Sequence, residues 1–115
     1  MTIQRCLLEL GTGVDLHGKD PTKAAKRAVF DALRHSSLAF PRVFGYEPQM
    51  MYVEVNIAVP YPEMVKQEEV LSEVPYGQKK INVVDGGMEI KSSAQSNDST
   101  IMANAAIIVS LDIKD

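Results

Sequence analysis

The sequence of 115 residues has no tryptophan, three phenylalanines and four tyrosines. With so few large aromatic side chains, the interior has to be built from Val, Ile, Leu, Met and Ala. A core of such small pieces in one short chain often recruits a second subunit to complete its burial, so a homo-oligomer is expected. The single cysteine, Cys6, cannot close an internal disulfide, and its apolar neighbourhood predicts a buried structural thiol in a reducing compartment. No stretch reaches the roughly 18 apolar residues of a membrane span. The opening residues Thr2-Ile3-Gln4-Arg5 carry no basic region followed by an apolar leader, so a cytoplasmic protein without a membrane partner is expected. Positive charge is not in surplus: 12 Lys and Arg stand against 15 Asp and Glu, a net charge of −3. That balance argues against nucleic acid, whose phosphates need a basic face, and makes a small molecule the expected ligand.

What is present reads as one α/β domain spanning 1–115. Residues 3–10 alternate in an extended pattern with apolar residues on both faces, which predicts a central strand. Gly11 and Gly13 are expected to stop that strand and open a loop running to Asp20. Asp20-Pro21 then signals a helix start, an acceptor for free backbone N–H groups followed by the residue best suited to the first helical position. Ala25, Ala28, Val29, Ala32 and Leu33 form an amphipathic stripe over a helix expected from Pro21 to about Ser36. Val53, Val55, Ile57 and Val59 alternate as a strand. Pro62 opens a second expected helix with Val65, Val70, Leu71 and Val74 on one side. Ile81 through Ile90 is expected to be one strand bulged at Asp85-Gly86-Gly87, and the polar run 92–100 a connection into a last strand up to Ile113. The predicted order is β-α-β-α-β-β, a mixed four-stranded sheet with two helices on one face.

Chemistry concentrates at Gly11-Thr12-Gly13-Val14-Asp15-Leu16-His17-Gly18. Between a strand end and a helix start, backbone N–H groups face outward and ligands gather. If residues 14–17 stay extended, Asp15 and His17 project to one side, where they could share a divalent metal or an anion and its proton. The alternative is structural: Asp15 accepts backbone hydrogen bonds within the loop and His17 packs against a neighbouring carbonyl. Two donors do not make a metal centre, and the only other histidine, His35, lies at the far end of the helix. Gly11, Gly13, Gly18, Lys19 and the start of the helix are the candidate anion cradle. Glu54 and Asn56 share a strand face that Glu89 and Asn104 are expected to join, lining a pocket or a subunit interface.

The string Gly-x-Gly-x-Asp-x-His-Gly at 11–18, ahead of an Asp-Pro-headed helix, resembles the Lin family of conserved hypothetical proteins, as do Pro75-Tyr76-Gly77 and the stretch Val84 to Ile90. That resemblance implies no assigned activity. The Asp-x-His segment is also similar to the metal-holding segment of methylerythritol cyclodiphosphate synthases, in which Asp15 and His17 would be ligands. Their third ligand, a histidine, falls on Arg27, and an arginine is not a neutral donor, so an anion becomes the better occupant and Arg27 or Lys19 its holder. The synthases' chorismate-mutase-like fold, shared with reactive-imine deaminases, implies a trimer, or a multiple of one, with ligands between subunits. Two functions follow: acid–base or metal-assisted chemistry on an anionic substrate by Asp15 and His17, or a non-catalytic oligomeric module with a conformational glycine loop.

Overall fold

In a computed structural model that describes residues 2–35, 38 and 40–113, five strands form one mixed sheet. They are β1 (Thr2–Asp15), β2 (Tyr52–Ala58), β3 (Gln78–Val84), β4 (Met88–Lys91) and β5 (Ser99–Ile113). The lateral order is β1-β5-β2-β3, with β4 pairing β5. β5 runs antiparallel to β1, β2 and β4, whereas β2 and β3 are parallel. The longest strand is therefore the axis of the sheet. Its sequence explains why: Ile101, Ala103, Ala105, Ile107, Val109 and Leu111 alternate without a break and are all buried on one face.

That face is covered by helix α1 (Pro21–Leu33) and the short helix α2 (Gln67–Leu71). The Asp20 side chain accepts from the Thr22 and Lys23 N–H groups, as the sequence predicts for a helix N-cap followed by proline. Ala24, Ala25, Ala28, Val29 and Ala32 meet Val53, Val55, Ile57, Ile101 and their neighbours in a single core cluster. α1 ends at Leu33 with Arg34 as its C-cap, while Ser36, where its end was expected, lies outside the described residues.

Four expectations are corrected. β1 is an edge strand instead of a central one: its second apolar face belongs to the side of the sheet that no helix covers. Cys6 is exposed, because the register with β5 slips between Arg5 and Leu7 and Cys6 is the extra residue there. The expected second helix is broken into a 3-10 turn (Pro62–Met64) and α2, yet Val65, Val70 and Val74 still reach the core. The sheet has five strands where four were expected, because Asp85-Gly86-Gly87 is not a bulge within one strand. There the chain leaves β2 and steps across to β5, and a Cβ on Gly86 would lie 2.8 Å from the Ala58 Cβ. β4 and β5 then form an antiparallel hairpin. No helix among the described residues is long and apolar enough to cross a membrane.

Candidate functional site

Gly11 and Gly13 do not open a loop. They continue β1, paired with Ala105 and Ala103, and sit on the buried face directly beneath α1. A Cβ on Gly11 would overlap the backbone at Ala28 and Ala32, and one on Gly13 would overlap the backbone at Ala24, Arg27 and Ala28. The glycines let the helix backbone rest on the strand, and the alanine stripe of α1 is the matching half of that contact.

Asp15 is the last residue of β1 and points to the same buried side, 4% exposed. Its Oδ2 accepts the Asp20 backbone N–H at 2.9 Å, and its Oδ1 lies 3.6 Å from Arg27 Nη1. Arg27 also donates to the Val14 carbonyl at 2.6 Å, and one helical turn further on Asp31 Oδ2 accepts the Thr12 N–H at 2.9 Å. Two α1 side chains four residues apart thus satisfy outward-facing backbone groups of an edge strand, a known way to blunt an edge against unwanted pairing. Arg27 is committed to this task, as the carboxylate of Asp15 is to closing the 15–20 turn.

His17 takes a different partner. It is 79% exposed, and its Nδ1 lies 2.9 Å from Oδ2 of Asp98, whose Oδ1 accepts the Gly18 N–H at 2.9 Å and the Ser99 N–H at 3.0 Å. Asp98 lies in the polar run read from sequence as a mere connection, and no periodicity marks it. The Gly18 amide first, and then His17, hold the Asp98 carboxyl below the usual carboxylate range. A carboxyl depressed on folding stabilises fully above its unfolded pKa and loses that contribution as pH falls through the folded value. The Gly18 amide resonance is therefore expected to titrate with a midpoint below about 4, the ordinary aspartate value. A midpoint at or above that value would show that Asp98 is not charged and bonded as described.

The pairing of Asp15 with Asp20 and Arg27, and of His17 with Asp98, does not fit a shared divalent metal. Among the described residues, no three of His, Cys, Asp or Glu are grouped to hold one. His35, just past the end of α1, has its Nε2 3.9 Å from Asp31 of that helix. Glu89 does not join Glu54 and Asn56 either. It pairs with Ile101 on the helix-covered side of the sheet, whereas Glu54 pairs with Ile108 on the other. The Tyr61 hydroxyl donates to both Glu89 oxygens, at 2.8 and 3.0 Å, which lowers the carboxyl pKa of Glu89 and raises the phenol pKa of Tyr61.

The positive charge gathers at the head of α1. Gly18, Lys19, Asp20, Pro21, Thr22, Lys23, Lys26, Met64, Lys66 and Glu69 surround a pocket of about 430 Å³. Lys19 stands in a left-handed conformation, φ 50°, directly after Gly18 at φ 94°, and so turns the chain into the rim of this pocket. The helix itself offers no free N–H: Pro21 has none, Thr22 and Lys23 donate to the Asp20 side chain, and Ala24 donates to the Asp20 carbonyl. Whatever attracts an anion here is the lysine set.

A family model described as "Conserved hypothetical protein (Lin0512_fam)" matches residues 5–109. A crystal structure described as an FtsZ-like protein of unknown function, from Nostoc punctiforme, superposes with a TM-score of 0.88 at 41% identity. The match covers 98% of this chain and 99% of that one. No curated protein matches the sequence.

Proposed function

Since the chain belongs to the Lin0512 family of conserved hypothetical proteins, whose description carries no activity, we propose from the site alone that it binds a small, multiply charged anion at the head of α1. The observation that carries this reading is the ring of Lys19, Lys23, Lys26 and Lys66 around one pocket whose only acids are Asp20 and Glu69. Asp20 is spent on capping the helix, and Glu69 lies 4.0 Å from Lys66 alone. Lys26 is 3.8 Å from Glu73, so that of these four lysines Lys19 and Lys23 have no ion pair within 4 Å among the described residues. A phosphate or polycarboxylate would be held by these ammonium groups as point charges. In this reading His17, one residue before the pocket-lining Gly18 and paired with Asp98, exchanges a proton with such a ligand.

Titration calorimetry with inorganic pyrophosphate tests the reading. Lys23→Ala and Lys66→Ala should each weaken binding about tenfold, equivalent to about 1.4 kcal/mol. Lys79→Ala, at a separate surface beside β2 and β3, should leave it unchanged. Absence of binding at millimolar pyrophosphate, or equal affinity in all variants, would refute it.

The non-catalytic reading has one specific observation in its favour. Gly11, Gly13 and Asp15, three of the residues that define the sequence string, are each accounted for by packing and backbone hydrogen bonds. Anion binding without turnover accommodates both facts.

A further inference from the structure

We propose that the helix-free face of the sheet is the contact surface for a second copy of this chain, a conclusion independent of the anion pocket. Both helices lie on the opposite side, and the register fixes which side chains this face carries. Leu8 stands opposite Ile108, Leu10 opposite Ala106, Met88 opposite Met102 and Ile90 opposite Thr100. Leu8, Leu10, Val84, Met88 and Ile90 are 49–63% exposed there. Exposed apolar residues of β1, β3 and β4 thus gather on one face of the sheet, where singly scattered ones would need no explanation.

The surface area points to the occupant. A compact monomer of 12.7 kDa should expose about 6,200 Å². This chain exposes 6831 Å², an excess of roughly 600 Å² over that expectation. Its radius of gyration is 15.8 Å, against about 13 Å for a compact chain of this length. The excess approaches the roughly 800 Å² that each partner buries in a standard interface. A flat sheet face stacking on its own copy would remove it from water.

The polar residues on the face suit a self-complementary contact. Lys80 Nζ lies 3.4 Å from Glu54 Oε1, Asn56 donates to Glu54 at 2.9 Å, and Asn82 donates to Asn56 at 3.1 Å. The ladder is paired before any partner arrives, so covering it strands no lone charge. An acid and a base side by side on one face also match their own image, since a two-fold axis passing between them would bring Lys80 of one copy toward Glu54 of the other.

Sedimentation equilibrium on the full chain tests this. The protein should be a dimer or a larger homo-oligomer, and Leu10→Lys should weaken association about 30-fold or more while circular dichroism stays unchanged. Ile90→Lys, on the short β4, gives the same readout if the β1 variant does not fold. Phe44→Lys, on an exposed residue of the 3-10 turn Phe40–Phe44, should leave the oligomer intact. A monomer at about 0.1 mM, an oligomer dissolved by Phe44→Lys but not by the sheet variants, or a different protein held on this face by a monomeric chain would each overturn it.

Discussion

Gly13→Ala is expected to destabilise the fold by about 3 kcal/mol or more, read as a fall in the urea midpoint at unchanged slope. The added methyl would meet the Ala24 carbonyl and the Ala28 amide, and these are backbone atoms of α1 that cannot rotate aside. The helix would have to lift from β1 and open gaps around Ala24, Ala25 and Ala28, which are all fully buried. Gly11→Ala should behave alike, since its methyl would meet the same helix one turn further along. Gly18→Ala supplies the contrast. Its Cβ would meet nothing nearer than Asp15 Oδ2 at 3.9 Å, so only the left-handed backbone, φ 94°, opposes it, costing about 1–2 kcal/mol. If the Gly13 variant proved as stable as the parent, the close approach of helix and strand would be wrong.

These glycines also show where sequence reasoning succeeds and where it stops. Period-two alternation in β2 and β5 and the Asp20-Pro21 cap are local signals, and the structure carries both as read. The glycines of β1 look like a strand end because glycine is a poor strand former. Their reason for being there is a set of helix residues 11 or more positions further along the chain, which no local window contains. Apolar residues on both faces of β1 suggested a central position for a similar reason. Periodicity reports that a face is apolar, not what covers it. The Asp85-Gly86-Gly87 break was visible, but whether the chain resumes the same pairing or changes neighbours depends on where β2 ends, a tertiary fact. At the site, Asp15, His17, Lys19 and Arg27 were all legible as residues able to carry chemistry. Their partners were not: Asp98 lies 81 residues from His17, and Lys66 reaches the pocket from beyond β2.

Separating a structural from a ligand-binding role falls to Asp15 and His17, which the sequence joins and the structure divides. Asp15→Ala is expected to cost about 2–3 kcal/mol, because the Asp20 N–H loses its acceptor beneath a packed helix start. Its charge contact with Arg27 adds little, since the guanidinium is 56% exposed and screened by solvent. Asp15→Asn keeps an acceptor oxygen and should therefore cost only about 1 kcal/mol. His17→Ala, removing an exposed side chain, should change stability by less than about 1 kcal/mol. Chemical denaturation and pyrophosphate titration on the same variants give the two readouts side by side. Should Asp15→Ala unfold at the parental urea concentration yet lose pyrophosphate binding, Asp15 would belong to the ligand site. Should it unfold early while the folded fraction binds as the parent does, the carboxylate is what its hydrogen bonds make it, the clasp that joins the end of β1 to the first turn of α1.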